Sequence, residues 1–120
     1  MEARKLKNIL IDMYSDYLSR AELPDDETNE KEFLEEIYEH CSFVSHLESG
    51  IGQIVSKYEV VEYSVYEMVA NGETVYFAIP YIVLPYGADY ELYENFSLTF
   101  EDVKLAERIE VISYTIKEES

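Results

Sequence analysis

Carboxylates are the commonest groups in this sequence that could do chemistry, with 26 Asp and Glu among 120 residues. Glu32 with Glu36, Glu35 with Glu39, and Asp12 with Asp16 stand four apart, the spacing that sets two side chains on one helix face. Buried, such a pair can hold a metal ion or share a proton. These pairs fall opposite an apolar stripe, however, and charged side chains are almost never fully buried without a partner. The expectation is a solvated acidic face. His40, Cys41 and His46 are the other candidate ligands, but their spacing matches no zinc pattern. Position 37 is Ile, so the Glu-x-x-His pair of di-iron bundles is absent. Cys41 lies on the apolar stripe, where a thiol acts as a small hydrophobe. It makes no nucleophilic pair with His40 either, because adjacent helical residues point about 100° apart. Gly50-Ile51-Gly52 is too short to cradle a phosphate and lacks a following Lys. Asn95-Phe96-Ser97 fits the glycosylation acceptor pattern but has no secretory route in this reading.

The elements that must position these groups follow from periodicity. Leu6, Ile9, Leu10, Met13, Tyr17 and Leu18 recur at three-four spacing and predict an amphipathic helix over residues 3–21, with Asn8, Asp12, Ser15, Asp16 and Ser19 in water. Pro24 cannot continue it. Asn29 followed by Glu32 reads as a capping box, so a second helix is expected from Glu30. Phe33, Leu34, Ile37, Cys41 and Val44 form its apolar stripe, and Gly50 and Gly52 mark its exit. Residues 58–70 and 73–84 read as strands joined by Asn71-Gly72, the pair that best tolerates positive φ in a tight hairpin. Pro80 implies an edge position or a bulge. Pro85-Tyr86-Gly87 reads as a turn before a third strand over 89–98. A short helix capped by Thr99 follows over 99–107, and a last strand over 108–117. The sum is a single α+β domain over residues 1–120. An N-terminal helical hairpin packs on a mostly antiparallel sheet of about four strands, with one short helix before the last strand.

Charge narrows the function. Nine Lys and Arg against 26 acids give a net charge of −17, which opposes direct binding to nucleic acid and to anionic membranes. No apolar run approaches the ~18 residues of a spanning helix, and the opening residues hold no secretory stretch. The single Cys41 excludes an internal disulfide framework, so a reducing cytoplasm is expected. The acids are unevenly spread. Residues 58–103 hold nine acids and no Lys or Arg, and residues 22–39 hold nine more against Lys31 alone. Twelve Tyr and no Trp are the second anomaly. Tyr63, Tyr76 and Tyr114 are read as core. Tyr86, Tyr90 and Tyr93 with Asp89, Glu91 and Glu94 are read as a binding face, since Tyr buries area at interfaces with little entropy loss.

Area scaling gives ~6,700 Å² of surface, roughly one carboxylate per 260 Å². A DNA duplex carries about one charge per 110 Å². Imitation of DNA therefore requires the acids to gather on one or two faces, which the second helix with Glu32, Glu35, Glu36 and Glu39 can do locally. In composition, size and want of a catalytic motif the chain is similar to the DNA-mimic inhibitors of phages and plasmids, the antirestriction and anti-CRISPR proteins. That similarity implies a non-enzymatic inhibitor, without cofactor or metal, that blocks the nucleic-acid site of a basic protein. Two other readings share the charge: an immunity or antitoxin-like protein that sequesters a cationic toxin, and an acidic regulatory or assembly module, monomeric or homodimeric.

Overall fold

The computed structural model describes residues 1–55, 60–83, 95–109 and 115–117. The first helix, α1 (Ala3–Ala21), has the bounds its periodicity predicts. Leu6, Leu10 and Tyr14 form the centre of its buried stripe, so Tyr14 belongs to the core. Ile9, Met13, Tyr17 and Leu18 flank that stripe against the core. The helix stops before Pro24: Glu22 turns left-handed at φ 56°, and its N–H closes onto the Leu18 carbonyl.

The second helix starts earlier than the capping box suggests. Helix α2 (Glu27–Glu35) is capped by Asp26, whose carboxylate accepts the Asn29 N–H at 2.8 Å. Asn29 is thus the third helical residue and sends its amide to the Pro24 carbonyl instead. Capping by Asp26 brings Glu27 and Glu30 into the first turn, where the helix dipole favours acids. The helix breaks at Glu36 (φ −121°) and resumes as one turn, α3 (Ile37–His40). Phe33, Leu34, Ile37, Cys41 and Val44 are all buried, so the stripe is correct even though the helix does not run its length.

The segment around Gly50 and Gly52 is not a helix exit. It is strand β1 (Ser45–Val55), antiparallel to β2 (Val60–Ala70) with three register shifts between His46 and Ile54. Gly50 (φ +79°) and Gly52 (φ +62°) supply the left-handed residues that such bulges use. Strand β2 and strand β3 (Glu73–Val83) form the expected hairpin. Asn71 (φ 54°) and Gly72 (φ 78°) both have positive φ, as a type I′ turn requires. The register runs unbroken through Tyr63–Pro80, so Pro80 makes no bulge. Among the described residues, pairing on the far side of β3 ends at Ala78, and none stands opposite Pro80 there.

The expected helix over 99–107 is shorter. Thr99 and Asp102 do form a capping box, but it closes only a 3₁₀ turn, Phe100–Asp102. Lys104–Ala106 then becomes β4, antiparallel to β3, so the order is β1-β2-β3-β4. Among the described residues β4 is the last strand, and it lies ahead of the predicted 108–117. Residues 108–109 and 115–117 are not in a strand, residues 95–98 are not part of a third strand, and 84–94 and 110–114 lie outside the described residues.

The helices pack on one face of this open antiparallel sheet. Tyr66 and Met68 of β2 pair with Phe77 and Val75 of β3 on that face, and all four join Leu6, Leu10, Phe33, Leu34 and Ile37 in the core. Phe33 is its hub, with the rings of Tyr14, Tyr17 and Phe100 edge-on at 5.4, 5.3 and 6.5 Å.

Candidate functional site

Two places gather polar chemistry: the acidic face of the helices and a hydrogen-bonded network on the sheet. The acidic face begins at the turn before α2. The Tyr14 phenol donates to the Asp25 carboxylate at 3.1 Å and reaches the Asp26 carbonyl at 3.3 Å, which pins this turn to the core. Burial pushes the Tyr14 phenol up to about 12, helped by the hydrogen bond to Asp25 and by the charges of Asp25 and Glu30. Glu30 also accepts the Phe100 N–H at 2.9 Å and so holds the 3₁₀ turn against α2.

Of the four helix acids singled out from sequence, Glu32, Glu36 and Glu39 are exposed and Glu35 is half-buried. The break at Glu36 removes the straight four-residue repeat, and what Glu32 and Glu36 share is an electrostatic effect on Tyr17. Burial raises the Tyr17 phenol, and the charges of Glu32 and Glu36 raise it further, so both carboxylates act on one ring. Arg20 bridges back to Asp16 at 2.9 Å, and His40 approaches Glu36 at 3.7 Å. The His40 ring lies over Tyr17 with centroids 4.4 Å apart, and its Nε2 is shut from solvent without a hydrogen bond.

His40, Cys41 and His46 do not come together. His40 packs on Tyr17 and Phe33, whereas His46 packs on Tyr66 and Tyr38. Cys41 is buried, and burial raises its thiol; Asp16 raises it further while Arg20 opposes. Among the described residues no three His, Cys, Asp or Glu side chains gather as a metal set. Tyr63 and Tyr76 are half-buried rather than core and lie on the sheet face away from the helices; among the described residues the buried tyrosines are Tyr14 and Tyr66. Tyr114, and the candidate face Tyr86, Asp89, Tyr90, Glu91, Tyr93 and Glu94, lie outside the described residues.

The sheet network was not anticipated from the sequence. The hairpin register sets Glu62 opposite Tyr81, and the phenol donates to Oε2 of Glu62 at 2.8 Å. The Gly50 N–H donates to that same phenol oxygen at 3.0 Å, and the Gln53 amide donates to Oε1 of Glu62 at 3.3 Å. Burial and the Glu62 contact both raise the Tyr81 phenol, which keeps it the donor. Beside it run His46 Nε2 to Ser49 Oγ at 2.8 Å and Ser49 Oγ to Ser64 Oγ at 2.9 Å. A Ser-His contact is where a nucleophile begins, but no described carboxylate orients this imidazole, and the Gly50 N–H is already used by Tyr81. One signal was available: counting back from Asn71-Gly72 puts Glu62 opposite Tyr81. Ser49 and Gln53 gave none, because the bulges of β1 break its alternation.

No family model, no curated protein and no solved structure matches this chain. Among the described residues, no helix is long and apolar enough to cross a membrane.

Proposed function

We propose that this protein is a non-enzymatic acidic inhibitor whose helix-borne carboxylates occupy the nucleic-acid site of a basic protein in the cytoplasm. One observation carries the reading. Of the nine acids in residues 22–39, seven have exposed side chains, and Lys31 is the only Lys or Arg among them. They ride on a turn and two short helices anchored to the core through Tyr14, Phe33 and Ile37, so they are held in place rather than strung along a tail. Fixed carboxylates of one sign attract a cationic surface at long range and exclude polyanions from it. The free thiol Cys41 supports a reducing compartment.

A second reading has its own support. Tyr38 and Phe43 are 46% and 54% exposed beside Glu36, Glu39 and the end of α3. Aromatic anchors next to acids would also suit a toxin-sequestering protein, which need not imitate DNA. The immobilised protein, exposed at low salt to a lysate of its own source with and without excess duplex DNA, separates them. A nucleic-acid-binding protein retained alone and lost with DNA supports site occupancy. A specific cationic partner retained regardless of DNA favours the second reading, and no retained basic protein sinks both.

A further inference from the structure

The Glu62 network carries an inference that rests on the reading of a basic partner and names what that partner presents. Glu62 is a half-buried carboxylate whose neighbours, Tyr81 and Gln53, are neutral donors. Among the described residues no cation stands within ion-pair distance of it, and β1, β2 and β3 contain no Lys or Arg at all. Held by two neutral donors, the carboxylate keeps its full negative charge, so a cation placed on it gains a charge-assisted hydrogen bond. The site is also built. The Gly50 N–H fixes the Tyr81 phenol, the phenol fixes one carboxylate oxygen, and Gln53 fixes the other. Each oxygen still has accepting capacity, because a carboxylate offers about four lone-pair sites and two are used. Ser64, two residues along β2 on the same face, adds a hydroxyl. Val60 and Val83, paired on that face at the other side of Glu62, offer apolar surface for an alkyl stem.

We propose that Glu62, held by Tyr81 and Gln53, is the acceptor for an arginine side chain of the cationic partner. A guanidinium suits this place better than an ammonium. Its planar fork matches several acceptors at once, and its weaker hydration lowers the cost of leaving water. The occupant is a protein segment rather than a small cation, because the valines extend the face along the strands beyond the carboxylate.

The test uses nona-arginine and nona-lysine peptides titrated into the full-length protein at low ionic strength. Glu62→Gln is compared with Glu2→Gln, which removes an equal charge from an exposed position outside the acidic face. The expected result is about a tenfold loss of nona-arginine affinity for Glu62→Gln and no more than about twofold for Glu2→Gln. Nona-lysine should respond to the two variants alike. Equal losses of nona-arginine affinity overturn the proposal, since the peptide would then be reading net charge alone. Circular dichroism checks the fold of Glu62→Gln. If it is unfolded, Tyr81→Phe decides: a loss of several-fold supports the acceptor, and affinity within twofold of wild type overturns it. The inhibitor reading fails separately, when DNA does not compete with the captured partner, and that outcome leaves the contrast between the two Gln variants intact.

Discussion

Tyr14→Phe isolates the bond that ties the acidic turn to the core. The substitution keeps the ring, with its edge contacts to Phe33 and Phe100 at 5.4 Å each, and removes only the hydroxyl that reaches Asp25 and Asp26. A net hydrogen bond is worth about 1 kcal/mol, so the melting temperature at neutral pH should fall by ~4 °C. The pH dependence is the sharper readout. The phenol's ordinary value of 10 is raised to about 12 in the folded chain, first by burial and then by Asp25. The folded protein therefore keeps a proton that the unfolded chain releases. The associated stability is complete below pH 10 and is lost as pH rises toward 12. At ~1.4 kcal/mol per pH unit the full shift sets an upper bound of roughly 3 kcal/mol, which solvent screening at the part-buried hydroxyl reduces. Denaturant unfolding across the alkaline range, in wild type and Tyr14→Phe, measures it. Tyr17, Tyr66 and Tyr81 are also raised, so the variant should keep a shallower alkaline decline rather than none. Identical alkaline profiles for the two proteins would refute the reasoning.

Phe33→Ala should destabilise by about 3–5 kcal/mol in denaturant unfolding, because it empties the centre of a ring cluster that water does not reach. Gly50→Ala should cost about 1 kcal/mol or more through its φ of +79°. Its new Cβ would meet Oε2 of Glu62 at an unstrained 3.5 Å, so the effect on melting is a backbone effect and Gly50→Asn should recover part of it. Cys41 should react slowly with a disulfide reagent in the native protein and at a free-thiol rate in denaturant, since burial both covers the sulfur and disfavours the thiolate. A fast native reaction would contradict that burial.

What was legible from sequence follows what local chemistry determines. The bounds of α1 are written in its three-four spacing, and Asn71-Gly72 fixes both the hairpin and its register. The start of α2 was misplaced because Asp26 and Asn29 are both good caps; Asp26 wins by bringing two acids to the helix N-terminus. Strand β1 was hidden by its own bulges, since each register shift moves the next side chain to the wrong face for a period of two. Lys104–Ala106 is three residues long, too short for any alternation to announce it. The solvated face expected for the second helix is seen at Glu32, Glu36 and Glu39, which are exposed, whereas Glu35 is half-buried. Glu62 was counted among the acids but not as a site. Its role depends on Gly50, Gln53 and Tyr81, which meet only when three strands are in register.

The most direct test of the central claim is the dissociation constant of the captured basic partner across a salt series. It is measured for wild type and for Glu32→Gln/Glu36→Gln/Glu39→Gln. Fixed carboxylates against a cationic surface predict a Kd that rises steeply with salt, and a weaker, shallower dependence in the variant. A Kd indifferent to salt, or a variant that binds as wild type does at every salt concentration, would contradict the account.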